Sequence, residues 1–487
     1  MDTAAIIAPE QYYPRAVKQS WLPHRYYGIA VTFSFAAFTL FCILVGAASF
    51  IRYAYPALVF IISIYLYRYY PVTYLSWVLW LWYLSPFCRR LIDYRGGWVD
   101  PSPVLLAPHL ATVVAGLALF GRPPVILRSR ASVPLLIALA ALAYGTVIGL
   151  LRVDPKHVAI SLINWLSPLT LGVFIFTRWR EYPAIRETLR RTWLWGVAIM
   201  GAYGVYQFIT GPPWDLYWLI NVGYGSFGVP EATKLRVFST MNAPGTLAPW
   251  IMTGLLLLFA NRLVIAVPAA IFGYCTFLLG LERTAWIGWL VGITVILILS
   301  RTRVRINIIA ALIAMSLFVV PFAIGGPFAE VIAARMRSFT DGKDDVSYVA
   351  RYEGHKRFFA DALQSPFGKG IGAMDKEYAI DIESEAMGPH DSAIVELILS
   401  LGWFGAAIYL GAIVSIVYST LRTPPNRDDL FQIVSRAIIV SIFVQFPLGS
   451  VMIASPGVIL WCFSGAELAA QRYYREQKRI VLAEAAV

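Results

Sequence analysis

"MGPHDSAIVELILSLGWFG", residues 387–405, opens as a polar loop and turns into an apolar helix within a few residues. One of only five histidines in the chain, His390, stands at that junction. In a soluble core such a histidine is a satisfied loop residue, whereas at the mouth of a membrane cavity it is a titratable base. The apolar run behind it continues to about residue 419, longer than the roughly 20 residues that carry a helix across a bilayer.

The rest of the chain has the same character. Of 487 residues, 59% are hydrophobic and 14% charged, and the mean hydropathy is +0.65. An ordinary soluble domain is about 25% charged. The apolar tracts are of helical span length, not the short alternating segments of an outer-membrane barrel. They lie at about 28–48, 54–68, 71–87, 103–120, 133–151, 158–176, 192–209, 245–260, 263–280, 284–300, 306–324, 391–419, 431–448 and 452–469. The expected fold is all-α, a polytopic membrane helical bundle of about 14 transmembrane helices, within a range of about 12 to 14.

The net charge of +12 does not call for a nucleic-acid partner, because most Lys and Arg sit in short clusters between apolar tracts. With the N-terminus inside, "GRPPVILRSR" (121–130), "TRWREYPAIRETLRR" (177–191), "RTRVR" (301–305), "LRTPPNRDD" (421–429) and "QRYYREQKR" (471–479) all fall on the inner face, as the positive-inside rule requires. The exception is "RRLIDYRGG" (89–97), which this alternation places outside. Cys42, Cys88, Cys275 and Cys462 show no paired metal-ligand spacing, so neither a disulfide framework nor a metal site is expected. "YYPRAVKQSWLPHRYYG" (12–28) reads as a basic, aromatic interfacial segment leading into the first span.

These boundaries divide the chain into an inner or interfacial N-terminus (1–27), N-terminal transmembrane helices (28–209), an outer loop (210–244), central transmembrane helices (245–324), a large outer loop (325–390), C-terminal transmembrane helices (391–469) and an inner tail (470–487). In the large loop, Tyr348, Tyr352, Phe359 and Leu363 of "DDVSYVARYEGHKRFFADAL" (344–363) recur at helical spacing with charges between them. An amphipathic helix lying over the outer membrane face is expected there. "SPFGKGIG" (365–372) then breaks it with proline and three glycines.

Topology brings Arg236, Arg283, Arg351 and His390 to that outer face from four separated stretches. Guanidinium groups bind phosphate oxygens in bidentate fashion and keep their charge, and a histidine can take a proton from an attacking hydroxyl. Together they suit transfer of a phosphate-linked group. Each also has an ordinary reading: an arginine near a helix end anchors to headgroups, and Asp391 or Ser392 beside His390 can cap a helix. The glycines of "GKGIG" could cradle phosphate through backbone amides or simply form a turn. Secondary candidates are Glu396 inside the twelfth span, Asp391, Glu282 beside Arg283, and His355 in the loop helix. His109, Gln207 and Gln445 lie toward outer span ends and could line a shared cavity.

Four motifs resemble the bacterial O-antigen ligase and O-antigen or exopolysaccharide polymerase superfamily, in its order. "LRVFSTMNAPGTLAPW" (235–250) looks like its arginine before an Asn-Pro-like turn, and "LERTAWIGWLVG" (281–292) like its Ser/Glu-Arg-Thr-Ala turn. "ARYEGHKRFFADALQSPFGKGIG" (350–372) is similar to its arginine-bearing loop helix with Pro-x-x-Gly-x-Gly, and "PHDSAIVELILSLGWFG" (389–405) to its His-Asn/Asp helix start with Leu-Gly-x-x-Gly. The resemblance implies a GT-C-like, metal-independent, inverting glycosyltransferase of the bacterial inner membrane, without a cofactor. Both termini would be cytoplasmic and the active site would face the periplasm. Its partners would be an undecaprenyl diphosphate-linked oligosaccharide donor, a glycan acceptor that is either a lipid-linked polymer or lipid A core, and membrane lipids. It leaves room for a chain-length regulator. Arg236, Arg283 and Arg351 would hold the diphosphate, and His390 would be the catalytic base or position the acceptor. The family usually has His-Asn where this chain has His390-Asp391. The span count and the long N-terminal third favour a polymerase, with ligase as the alternative. A lipid-linked sugar carrier or flippase would instead place charges deep along a path open to both faces.

Overall fold

The structure, a computed structural model, describes residues 22–120, 129–223, 227–261, 264–325, 359–360, 364–374 and 392–485. Helices form at every apolar tract: α1 (Leu22–Leu44), α2 (Ala48–Tyr69), α3 (Pro71–Gly96), α4 (Leu106–Val113), α5 (Val133–Arg152), α6 (Pro155–Thr177), α7 (Tyr182–Thr210), α8 (Pro213–Val222), α9 (Pro244–Leu258), α10 (Ala266–Leu279), α11 (Arg283–Leu299), α12 (Thr302–Gly325), α13 (Ala393–Arg422), α14 (Leu430–Val444) and α15 (Ala454–Glu484). Proline opens many of them, as at Pro71, Pro155, Pro213 and Pro244, where its missing N–H is no loss. The Asp154 carboxylate caps α6 by accepting from the Lys156 amide at 2.8 Å. Among the described residues β-structure is limited to one bridge, Gly228 to Leu235.

Six helical stretches are long and apolar enough to cross a membrane: Tyr27–Leu44, Ala48–Tyr69, Pro103–Phe120, Arg130–Arg152, Pro155–Thr177 and Ala393–Arg422. The chain is thus an all-helical protein with the build of a membrane bundle. Helices α9, α10, α11 and α14 are apolar but have only 14 to 17 residues. At 1.5 Å per residue they are roughly 21 to 26 Å long, shorter than the roughly 30 Å hydrocarbon core.

Two expected continuous spans are interrupted. The tract 103–120 is a short 3₁₀ turn, then α4, then a second 3₁₀ stretch, Val114–Phe120. The hydroxyl of Thr170 on α6 donates to the Thr112 carbonyl at 3.2 Å, engaging the oxygen that would close the next α-turn. Helix α13 breaks at Gly402, where φ is +68°. Residues 365–371 fill that break: the Trp403 amide donates to the Pro366 carbonyl at 2.9 Å, and the amides of Lys369 and Gly370 donate to the carbonyls of Leu399 and Ser400 at 2.8 and 3.1 Å. The helix bonds lost at the kink are replaced by bonds to the loop, as non-helical backbone in an apolar bundle requires.

Packing relies on small residues and aromatic rings. A Cβ on Gly172 of α6 would lie 2.6 Å from the Trp461 carbonyl oxygen of α15, so these helices meet backbone to backbone. Trp193 of α7 stacks on Trp250 of α9 at 5.4 Å, and Tyr83 of α3 sets its ring edge-on against Trp250 at 4.8 Å. The Trp250 indole N–H donates to Ser455 Oγ at 2.7 Å at the start of α15. This buried junction ties α3, α7, α9 and α15 together.

The exceptional basic segment 89–97 is explained by pairing. Helix α3 runs on through it to Gly96, and two of its three arginines pair with aspartates: Arg89 with Asp93 at 3.1 Å and with Asp100 at 3.0 Å, and Arg90 with Asp215 at 2.6 Å. Arg52 of α2 also reaches Asp93 at 3.2 Å. Charges neutralised inside the fold are not the loop charges that the positive-inside rule counts.

Candidate functional site

Arg236 sits in the irregular segment between α8 and α9. Its amide donates to the Phe227 carbonyl at 2.8 Å and the Val237 amide to the Leu279 carbonyl at 3.2 Å, which pins the segment to the end of α10. The guanidinium then reaches the turn between α10 and α11. Nη2 donates to the Gly280 carbonyl at 3.1 Å, to the Leu281 carbonyl at 3.4 Å and to Glu282 Oε1 at 2.5 Å. Glu282 is the residue preceding α11, and Arg283 is that helix's first. Leu281 takes a left-handed conformation, φ +54°, to make the turn. The Arg236 and Glu282 side chains are 18% and 19% exposed, so the pair is only partly shielded from solvent.

The same end of the bundle gathers several helix starts. A Cβ on Gly245, near the start of α9, would lie 3.8 Å from Glu282 Oε1. Gln445, which ends α14, lies between α9 and α11: its Nε2 is 3.5 Å from Met252 Sδ and would be 2.5 Å from a Cβ on Gly288. The carbonyls of Phe446 and Gly449 accept the Ala393 amide at the start of α13, at 3.0 and 3.1 Å. The C-terminal end of α14 therefore contacts α9 and α11 and bonds to the start of α13. Helix N-termini carry partial positive charge, and Arg236 and Arg283 bring two full charges, set against the carboxylates of Glu282 and Glu396.

Glu396, in the first turn of α13, is buried and accepts from Ser450 Oγ at 2.7 Å. Arg351, His355, His390 and Asp391 lie outside the described residues. Three further polar residues, which could line a shared cavity, are engaged in local bonds. His109 Nδ1 pairs with Ser167 Oγ at 3.2 Å and its ring meets Trp82 edge-on at 4.7 Å. Gln207 accepts the Phe238 and Ser239 amides at 3.0 and 2.8 Å. Gln445 donates to the Ser441 carbonyl at 2.9 Å. "GKGIG" is a packing turn: the amides of Lys369, Gly370 and Ile371 are given to the carbonyls of Leu399, Ser400 and Gly145. They are not turned toward a phosphate.

Sequence reasoning passed over Arg90 and Asp215, both fully buried. Their signal was Asp215 alone in the otherwise uncharged run "PWDLYWLINV" of α8, since a buried charge needs a partner.

The fold, with its long apolar helices, has the build of a multi-pass membrane protein, and at one end it gathers Arg236, Glu282 and the start of α11. Residues 268–410 match the model of a family described as O-antigen ligase. The match supports membership of the O-antigen ligase and polymerase superfamily and an activity of the ligase or polymerase type. It covers α10 to the middle of α13 and includes Glu282, Arg283, Arg351, His355, His390, Asp391 and Glu396. Arg236 precedes it in sequence and joins it through Glu282. No curated protein matches the chain.

Proposed function

We propose that the chain is an inner-membrane glycosyltransferase that polymerises undecaprenyl diphosphate-linked oligosaccharide repeats of an exopolysaccharide or O-antigen on the periplasmic side. In this reading all the apolar tracts cross the membrane, both termini are cytoplasmic and the loops 210–244 and 325–390 are periplasmic. The observation that carries it is the O-antigen ligase match over residues 268–410, whose turn at Glu282 and Arg283 is bonded to Arg236.

The chemistry follows from charge. The acceptor hydroxyl oxygen attacks the donor sugar C1, its proton passes to His390, and the bond from C1 to the phosphate oxygen breaks with inversion. Negative charge grows on the departing lipid diphosphate, where Arg236, Arg283 and Arg351 gain interaction energy with it. Three permanent cations do the work for which other transferases use a metal ion, so the reaction is metal-independent.

Transfer to lipid A core is the second reading, favoured by the description of the matched family. The test is turnover by the purified protein with a lipid-diphosphate-linked oligosaccharide, with and without EDTA, products being resolved as a gel ladder. A ladder of multiples that survives chelation and is lost in His390→Ala supports the polymerase. Product only after lipid A core is added makes it a ligase. Folded protein that forms product with neither acceptor overturns the transferase reading.

A further inference from the structure

We propose that Arg90, Asp215 and Gln207 form a positioning clamp that sets the reach of Arg236 toward the donor diphosphate; the inference rests on the function proposed above. The segment that carries Arg236 is irregular, with Ser239 in a left-handed conformation at φ +50°. Its backbone cannot be held by helix bonds, and buried amides and carbonyls require partners. Side chains from two other helices supply them, and a third helix holds those side chains in place.

Gln207 Oε1 of α7 accepts both the Phe238 and the Ser239 amides. Arg90 Nη2 of α3 donates to the Ser239 carbonyl, and the Arg90 guanidinium lies 4.8 Å over the Phe238 ring. Asp215 of α8 joins the set: it accepts from Arg90 Nη1 at 2.6 Å, Gln207 Nε2 at 2.7 Å and Tyr203 OH at 2.8 Å. Arg90, Gln207 and Asp215 are each fully buried, so they cannot touch a membrane-borne substrate. A buried ion pair is an inefficient source of stability. Its directional bonds, however, fix the backbone two and three residues beyond Arg236, while Phe227 and Leu279 fix the residues at Arg236 itself. A guanidinium held this way meets a diphosphate without first being ordered.

The test is a double-mutant cycle on the purified full-length protein, read as affinity for undecaprenyl diphosphate. The variants are Gln207→Leu, Arg236→Ala and the two combined. Residues that act through one another couple: Gln207→Leu is expected to weaken binding about tenfold in the wild-type background and less than about twofold once Arg236 is alanine. Equal weakening in both backgrounds, or none in either, would overturn the clamp, because general loosening of the fold does not depend on Arg236. A wild-type protein that binds no lipid diphosphate overturns the functional reading instead, a separate result. If Gln207→Leu does not give monodisperse protein, Arg90→Lys decides by the same criteria, since it keeps a charge opposite Asp215 and gives up the fork that joins Asp215 to the Ser239 carbonyl.

Discussion

Gly368 and Gly402 face each other backbone to backbone, both left-handed, with φ of +78° and +68°. A Cβ on Gly402 would collide with the Gly368 amide nitrogen and the Phe367 carbonyl carbon. This contact lets the loop turn enter the break in α13 and re-bond the carbonyls that the break leaves open. Arg152 of α5 secures the turn from the other side by donating to the Gly368 carbonyl at 2.6 Å.

Gly402→Ala should therefore be strongly destabilising. The left-handed backbone costs a side-chain residue about 1 to 2 kcal/mol, and overpacking adds about 1 to 3 kcal/mol. Gly411, on the same helix with nothing within 4 Å of its would-be Cβ, is the control: alanine there should be neutral or stabilise by up to about 1 kcal/mol. Unfolding midpoints of the two variants in detergent measure the contrast. A Gly402→Ala protein with the wild-type midpoint would mean that the turn is not seated in the break.

The Arg236 guanidinium reaches the turn through Nη2, and the diphosphate contact proposed for it asks for a planar fork of donors, not a point charge. In the transferase assay Arg236→Ala should lower turnover about 100-fold to 1000-fold, the usual loss for one donor aimed at developing charge. Arg236→Lys should be nearly as harmful, since lysine reproduces the charge without the fork geometry. Near-normal polymer yield from the lysine variant would remove the bidentate contact from the mechanism.

In the proposed mechanism Glu282, paired with Arg236, would compete with the donor for it. Glu282→Gln keeps an oxygen to accept from Nη2 at the 2.5 Å contact but removes the negative charge beside the diphosphate site. A partly exposed ion pair is worth up to about 1 kcal/mol, so the KM for the lipid-linked donor should fall by up to about fivefold with little change in kcat. A rise in KM would show that Glu282 orients Arg236 instead of restraining it.

What the sequence made legible was local. Apolar tracts of span length become helices because burial and length are both written in consecutive residues, and the proline at 244 marks the start of α9 as it should. The break at Gly402 was hidden because glycine in an apolar helical run is ordinarily tolerated, and the break makes sense only with the Pro366 turn beside it. Helix α8 was missed because Pro213 and Asp215 read as loop, although proline and an acid belong to a helix's first turn. The Arg236 pair with Glu282 spans 46 positions and that of Arg90 with Asp215 spans 125. No spacing rule links such residues, and only the tertiary fold brings them into contact.

The fully buried pair of Arg436 on α14 and Glu467 on α15, 2.7 Å apart, supplies a last prediction. Glu467 Oε1 also accepts from Gln471 Nε2 at 2.9 Å and Gln432 Nε2 at 3.4 Å, and Arg436 Nη1 donates to the Thr423 carbonyl at 2.5 Å. Glu467→Ala strands a guanidinium in the bundle interior and should lower stability by about 3 to 5 kcal/mol. Replacing both partners by methionine removes the stranded charge along with the pair, so the double variant should unfold near the wild-type midpoint or above it. Thermal unfolding of the single and double variants under one detergent condition makes the comparison. If the double variant is as unstable as Glu467→Ala, the stranded charge is not the cause. The loss would then lie in the Gln432 and Gln471 bonds, whose acceptor both variants remove.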